Sequence, residues 1–219
     1  MGDLVTFAIV SFSALFFVVD PFVVIPLFLT MTASDPPAKR RAMALRASVV
    51  ATTTLLAFGA AGGFLFELFG ITIGAFKIAG GALLFLMALD MLRAQPSRVR
   101  TSPEEEREGL ARDDVAVLPL GIPMLAGPGA IATVTVLMGQ ARGSAARIGI
   151  VAGCVVLTGV LTLWLLRSST WIERTLRRTG LNVLNRLMGL ILGAVAVQFV
   201  VNGVADVAPQ LAAALRGSG

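Results

Sequence analysis

Long apolar runs recur along this chain of 219 residues, and each is about as long as a membrane-spanning helix. About 20 apolar residues in a helix cross the hydrocarbon core of a bilayer. The runs are continuous rather than alternating, which argues against a transmembrane β-barrel. We therefore predict an all-α polytopic membrane protein with six transmembrane helices, at residues 5–31, 48–66, 71–92, 115–139, 148–166 and 182–204.

The composition supports a membrane protein and argues against several other classes. Charged residues make up 14% of the chain, whereas soluble domains carry about 25%. The chain has no histidine and one cysteine, Cys154, so we expect no internal disulfide, metal or cofactor. We also expect no enzymatic activity, because no catalytic set of side chains is evident. We attribute the net charge of +5 to membrane topology rather than to nucleic-acid binding.

The basic residues are distributed unequally between the two sides of the predicted membrane. Thirteen loop Lys and Arg follow runs 1, 3 and 5, and three lie on the opposite side, at Arg142, Arg147 and Arg216. Cytoplasmic loops carry the excess of positive charge. Both termini are therefore predicted to be periplasmic, and we expect the protein in the inner membrane of a bacterium. The N-terminal sequence MGDLVTF lacks the basic region of a cleavable signal peptide.

The chain divides into two similar halves, which we place at residues 1–92 and 115–219. A polar cytoplasmic linker, residues 93–114, separates them. Pro21 and Pro26 in run 1 have the same spacing as Pro123 and Pro128 in run 4, and KIAG in run 3 resembles RLMG in run 6. Because each half has an odd number of spans, the second half enters the membrane inverted. Inverted repeats are common in secondary transporters.

Prolines interrupt runs 1 and 4 near their midpoints. Each proline inside a helix leaves a carbonyl without its amide donor, and irregular backbone at membrane depth must face protein or a wet cavity. We predict two interrupted helices and a substrate site at the bilayer midplane. Its candidate residues are Asp20, Pro21, Pro26, Pro123, Gly127, Pro128 and Gly129.

Asp20 is the acidic residue nearest the middle of run 1. A carboxylate at the bilayer centre costs about 2.5–3.5 kcal/mol on insertion scales, so it is usually retained for a function. We predict that it binds a substrate amine or a coupling ion. The alternative is a helix cap, because Asp followed by Pro often begins a helix.

Three further polar residues in the apolar runs are accessory candidates: Lys77, Asn185 and Arg186. Lys77 and Arg186 lie near helix ends, from which long basic side chains can extend to the interface. Binding of a substrate carboxylate is the alternative. Asn185 is either an interhelical hydrogen-bond partner or part of the site. Gly80, Gly81 and Gly189 are predicted to be close-packing positions between helices.

Four segments of the chain resemble the MarC family of integral membrane proteins: DPFVVIPLF, LFGITIGAFKIAGGALLFLMALDML, VAVLPLGIPMLAGPGAIATV and NRLMGLILGAVAVQFVVNG. The resemblance implies six spans, and for some members transport of small neutral amino acids such as glycine and alanine. Those members tend to have a glycine, and often a polar residue, between the two prolines of run 1. This chain has Val23 and Val24 there.

The leading functional hypothesis is a secondary transporter of a small neutral amino acid, with H⁺ or Na⁺ as the coupling ion. Half-helix N-termini attract a carboxylate, and freed carbonyls attract an ammonium group. A passive channel is the first alternative, although it needs a continuous polar lining. The second alternative is a membrane scaffold that transports nothing.

Overall fold

The computed structural model describes residues 2–93 and 116–217, which are helical almost throughout and contain no β-strand. A π-helical segment, Ala116–Leu125, lies between the fourth and fifth α-helices. The predicted linker lies outside the described residues except for Arg93. The α-helices are α1 (Gly2–Val19), α2 (Pro21–Met31), α3 (Pro37–Phe69), α4 (Ile73–Leu92), α5 (Pro128–Ala141), α6 (Ala145–Arg167) and α7 (Ser169–Gly217).

Five segments of the described chain are long and apolar enough to cross a membrane as helices: Gly2–Met31, Pro37–Phe64, Ile73–Leu92, Ala145–Arg167 and Gly180–Pro209. They correspond to predicted runs 1, 2, 3, 5 and 6. Run 4 does not form such a helix, because a break divides it into pieces of 10 and 14 residues. Two helices extend well beyond their apolar runs: α3 begins at Pro37 rather than at residue 48, and α7 begins at Ser169 rather than at residue 182.

Local sequence explains several helix ends. The Thr72 side chain accepts a hydrogen bond of 3.2 Å from the Ala75 amide at the start of α4, and Ser144 does the same for Arg147 at 3.4 Å in α6. These hydroxyl oxygens accept hydrogen bonds from first-turn amides that have no carbonyl acceptor within the helix. The helix α3 ends at Gly70, whose φ of 61° suits a residue without a side chain.

Helices from before and after the linker pack into one bundle. The helix α1 packs against α5 and α6, and α2 packs against α6, α7 and the π-helical segment. The helix α3 packs against the π-helical segment, α5 and α6, while α4 packs against α5 and most extensively against α7. The core thus lies largely between the two parts of the chain rather than within either part.

Small residues bring α4 and α7 into backbone contact. A Cβ added at Gly81 would lie 2.7 Å from the Ala196 carbonyl oxygen, and one at Gly203 would lie 2.6 Å from the Gly74 carbonyl oxygen. Each step of seven residues along α4 is matched by seven residues back along α7, so the helices are antiparallel. The prediction that Gly80, Gly81 and Gly189 are close-packing positions is confirmed, since a Cβ added at Gly80 would lie 3.2 Å from the Ala132 Cβ of α5. The pairs are Gly74 with Gly203, Gly81 with Ala196 and Ala88 with Gly189.

Large apolar side chains cover the outside of the bundle. Ile9, Phe64, Trp164 and Leu190 each expose at least 60% of their surface. Exposed apolar surface of this extent is unfavourable in water but suits a lipid environment. Together with the five apolar segments, it identifies an integral, multi-pass membrane protein.

Candidate functional site

The first helix break lies at Asp20, between the end of α1 and the start of α2. Its backbone has φ 44° and ψ 71°, in the left-handed region, and the residue is only 1% exposed. Pro21 occupies the first position of α2, where its missing amide hydrogen costs no helical bond. The Asp20 side chain accepts no hydrogen bond from the first amides of α2. The predicted capping role is therefore wrong, although the helix does begin where expected.

The second helix break lies between the π-helical segment and α5. The Ala126 amide donates to the Gly121 carbonyl at 3.0 Å, which completes the π-helical pattern. Gly127 is then extended, and Pro128 begins α5. A Cβ at Gly127 would lie 2.6 Å from the Pro123 carbonyl oxygen. Only glycine therefore allows the chain to turn this closely against its own backbone.

The two breaks lie at the same level of the bundle. One piece of each broken helix lies toward the end of the bundle at which α1 begins, which we call the amino end. These pieces, α1 and α5, pack against each other, and so do the two opposite pieces, α2 and the π-helical segment. Because both junctions fall between these two contacts, the broken helices run antiparallel with their breaks side by side.

The local structure does not support the predicted pairing of prolines. Pro21 and Pro128 both begin a helix, whereas Pro26 lies inside α2 and Pro123 lies in the π-helical segment after a cis peptide bond. Pro21 and Pro128, which share this helix-starting position, are 107 positions apart. Equal spacing in sequence did not distinguish a helix-starting proline from one inside a helix.

The candidate site residues differ in where they lie. Asp20, Pro21, Gly127 and Gly129 are buried, and Pro123 is half-buried. Gly129 lies close to α4, where an added Cβ would be 2.7 Å from the Leu84 side chain. Two predicted members, Pro26 and Pro128, are exposed. They shape the broken helices without facing the interior of the bundle.

The accessory candidates do not gather at the breaks. The Lys77 ammonium forms an ion pair of 2.6 Å with Asp206 of α7, and the Lys77 side chain is 9% exposed. The Lys77 side chain is therefore directed to an acidic side chain of the neighbouring helix, and its extension to the membrane interface stays a prediction. Arg186 is exposed on α7, and Asn185 is half-buried beside it. The Asn185 Oδ1 atom is buried and accepts no hydrogen bond from any described residue.

Among the described residues, three ion pairs join the two parts of the chain at the amino end of the bundle. Each connects an element before the linker with one after it. Arg142 at the end of α5 and Arg147 at the start of α6 are joined by a short turn. Gly139, near the end of α5, contacts Ile73 at the start of α4. All three pairs therefore lie at the same end of the bundle. The pairs are Asp3 with Arg147 at 2.7 Å, Glu67 with Arg142 at 3.3 Å and Lys77 with Asp206 at 2.6 Å.

A small cavity of about 10 Å³ lies between α3 and α6, near the middle of both helices and beside the first break. Four of its lining residues carry hydroxyl groups, and sequence reasoning missed them. The signal in the sequence was a pair of Ser or Thr four residues apart in each of runs 2 and 5. The lining residues are Val19, Ser48, Ala51, Thr52, Leu55, Val155, Thr158, Gly159 and Thr162.

Comparison with known proteins agrees with this architecture of apolar helices. The family model described as MarC family integral membrane protein matches residues 5–208. A UPF0056 membrane protein of Methanocaldococcus jannaschii is 38% identical over 90% of this chain and 95% of its own length. The UPF0056 membrane protein YvbG of Bacillus subtilis is 37% identical, over 94% and 98% respectively. YhcE of Escherichia coli, with the same description, is 34% identical over 91% and 93%. No solved structure matches the chain.

Proposed function

Because the chain belongs to the MarC family of integral membrane proteins, we propose that it is a secondary transporter that moves a small neutral amino acid by alternating access. The observation that carries the proposal is the pair of helix breaks side by side within the bundle. Discontinuous helices of this kind form the substrate and ion sites of many secondary transporters.

The architecture we propose is six transmembrane helices in two inverted halves, residues 1–92 and 115–219. Pro21 and Pro128 begin the second pieces of the broken helices and are 107 positions apart. The same displacement relates the two walls of the cavity: Ser48 to Val155, Ala51 to Thr158, Thr52 to Gly159 and Leu55 to Thr162. These two observations are independent of each other, and both support an internal twofold relation.

Helix packing also supports this relation. Under it, α1 corresponds to the π-helical segment, α2 to α5, α3 to α6 and α4 to α7. The contact of α1 with α6 then corresponds to the contact of the π-helical segment with α3. In the same way, the contact of α2 with α7 corresponds to the contact of α5 with α4. The α3–α6 and α4–α7 contacts lie on the proposed axis.

The chemistry of the breaks suits a zwitterion. At each break, the N-terminus of a following helix carries partial positive charge, which attracts a carboxylate. The preceding helical piece ends in carbonyl groups, and the Asp20 carboxylate is buried beside them. Both attract an ammonium group. A small neutral amino acid carries these two charges and little else.

The three ion pairs indicate which state of the transport cycle the structure represents. All three join the proposed halves at the amino end of the bundle. In an alternating-access mechanism, this state is closed at the amino end. We further propose from the distribution of basic residues that this end is periplasmic.

Ligand-dependent stability together with uptake tests the proposal. Purified protein is melted in detergent with each small amino acid, and uptake of radiolabelled alanine or glycine into proteoliposomes is measured in parallel. A ligand at one hundred times its Kd stabilises the folded state by about 2.7 kcal/mol. We expect one or more small neutral amino acids to raise the melting temperature and to enter the vesicles saturably. Absence of both effects for every amino acid would contradict the proposal.

A further inference from the structure

The helix α7 carries a pair of carboxamide side chains on the outside of the bundle. Gln198 and Asn202 lie within Gly180–Pro209, an apolar segment long enough to cross a membrane, and both are exposed. The Gln198 Nε2 atom donates to the Asn202 Oδ1 atom at 2.7 Å. Polar side chains inside a membrane segment are costly and normally face protein rather than lipid.

The pair lies at the depth of the hydrocarbon core. Gly81, near the middle of α4, contacts Ala196 of α7, so Ala196 is near the centre of the bundle along the helix axes. At a rise of 1.5 Å per residue, Gln198 and Asn202 lie about 3 Å and about 9 Å from this level. The hydrocarbon core extends about 15 Å to either side of its centre. Neither residue therefore reaches the level of the lipid headgroups.

Their mutual hydrogen bond leaves most polar groups of the two carboxamides unused. A carboxamide has two N–H donors and an oxygen with two lone pairs. Neither side chain makes another hydrogen bond within residues 2–93 and 116–217. Thr53 is also exposed in an apolar segment, but its hydroxyl donates to the Val49 carbonyl oxygen at 2.9 Å. The remaining groups of the carboxamides need a partner from another molecule, because hydrocarbon offers none.

The surface around Gln198 has the spacing of a helix-packing seam. Gly189, Ala196 and Gly203 face α4, and the opposite side of α7 is exposed in alternating steps of four and three residues. Such a repeat keeps one face of a helix against a parallel partner. Small side chains next to Gln198 allow two backbones to approach closely. This outward face consists of Leu187, Ile191, Ala194, Gln198, Val201 and Ala205.

A second copy of the chain satisfies this face by symmetry. Two copies with the same topology are related by a twofold axis along the membrane normal, so their α7 helices run parallel and Gln198 meets its own counterpart. A carboxamide is both donor and acceptor, so each Gln198 can donate its second Nε2 hydrogen to the Oε1 atom of the other. The bond to Asn202 orients the amide. Another membrane protein would have to offer a matching polar group at the same depth.

We propose that the chain forms a twofold dimer through the outward face of α7, with the two Gln198 carboxamides hydrogen-bonded to each other across the axis. The dimer does not depend on transport, because the outward face lies on the side of α7 away from α4 and each copy keeps its own pair of helix breaks. The helix α7 is then held between α4 of its own bundle and α7 of the second copy.

Cysteine cross-linking in native membranes locates the interface. Single cysteines replace Ala194 or Val201 on the outward face, or Val156 on α6, in a background that carries Cys154→Ala. The two valines are similarly exposed, at 54% and 47%, and both lie in apolar segments. Oxidation with copper phenanthroline should give a covalent homodimer at both outward-face positions and little at Val156. Absence of the homodimer at both positions, equal cross-linking at Val156, or an adduct to a different protein would overturn the proposal.

Energy transfer in lipid vesicles measures the strength of the dimer. Purified protein with donor or acceptor dyes at the carboxyl terminus is reconstituted at increasing dilution in lipid. The unaltered protein should show energy transfer that falls on dilution as a monomer–dimer equilibrium requires. Gln198→Leu should weaken the dimer by about tenfold, because two reciprocal hydrogen bonds are lost.

Thr53→Val is the matched control, because it also removes an exposed polar group from an apolar segment but lies on α3. It should leave the Kd of the dimer unchanged, and circular dichroism should show normal helical content in both variants. Transfer by the unaltered protein that does not exceed the value for randomly distributed monomers would contradict the dimer. An unchanged Kd for Gln198→Leu would contradict the proposed interface.

Discussion

Asp20 combines burial, a carboxylate and a left-handed backbone at one position. Left-handed geometry costs most L-residues about 1–2 kcal/mol, and Asp and Asn tolerate it better than others. The residue type at position 20 therefore has a conformational reason as well as a chemical one. Substitutions can separate these two reasons, because Asn and Gly accept the backbone without the charge.

Three substitutions at Asp20 should separate the effect of the charge from that of the backbone conformation. Asp20→Asn should fold normally but lose most gradient-driven uptake, because it keeps the conformation and removes the charge. Asp20→Gly should also fold and lose uptake. Asp20→Ala should in addition destabilise the protein by about 1–2 kcal/mol, because alanine is strained at this φ. Unfolding in detergent and proteoliposome uptake measure the two effects. Unchanged uptake by Asp20→Asn would contradict a functional role for the charge.

Gly127 forms the second break through a close approach rather than through a special φ. A methyl group there would meet the Pro123 carbonyl oxygen at 2.6 Å, and the backbone cannot yield as a flexible side chain would. We expect Gly127→Ala to destabilise the protein by about 1–3 kcal/mol. Gly153→Ala in α6 is the matched control, since nothing lies within 4 Å of a Cβ there. Equal stability of the two variants in thermal unfolding would contradict this account of the break.

At the scale of elements, apolar runs predicted most helices, and prolines predicted both breaks. The runs could not give the ends of α3 and α7, because polar residues continue these helices beyond their apolar parts. The Lys77–Asp206 pair was also beyond prediction, since it depends on the antiparallel register of α4 and α7. The four cavity hydroxyls looked inert, because Thr in helices commonly bonds to the carbonyl four residues earlier.

The ion pairs at the amino end should hold the elements closed there. Two of them are largely exposed, Asp3–Arg147 and Glu67–Arg142, and such pairs each contribute up to about 1 kcal/mol. Asp3→Asn combined with Glu67→Gln should therefore favour opening about fivefold with little loss of stability.

Thiol labelling measures this opening. A probe cysteine replaces Ala130, which is buried in α5 near the break, in a background that carries Cys154→Ala. The double variant should react about fivefold faster with a hydrophilic thiol reagent than the background with intact ion pairs. Asp35→Asn is the control, because its pair with Lys39 lies within one part of the chain at the opposite end. Equal labelling rates in all three proteins would show that the pairs do not close this end.

At the scale of the whole molecule, inversion of the two halves requires both termini on one side of the membrane. In the predicted topology, thirteen basic loop residues lie on the side opposite the termini and three lie on the side of the termini. Because the basic-rich side is cytoplasmic, the termini are predicted to be in the periplasm. Reporter fusions at Asp3 and at Gly219 should both be active in the periplasm. Cytoplasmic activity at both ends would reverse the orientation, and activity on different sides would contradict six spans.

Counterflow in proteoliposomes tests the transport claim most directly. Vesicles containing the purified protein are preloaded with unlabelled alanine and diluted into a trace of labelled alanine. A carrier exchanges one substrate for another, so labelled alanine should accumulate transiently above its external concentration. Vesicles with the Asp20→Asn variant should accumulate much less, and those with Gly153→Ala should match the unaltered protein. Labelled alanine that enters equally with or without preloading, or does not enter at all, would contradict alternating-access transport of alanine.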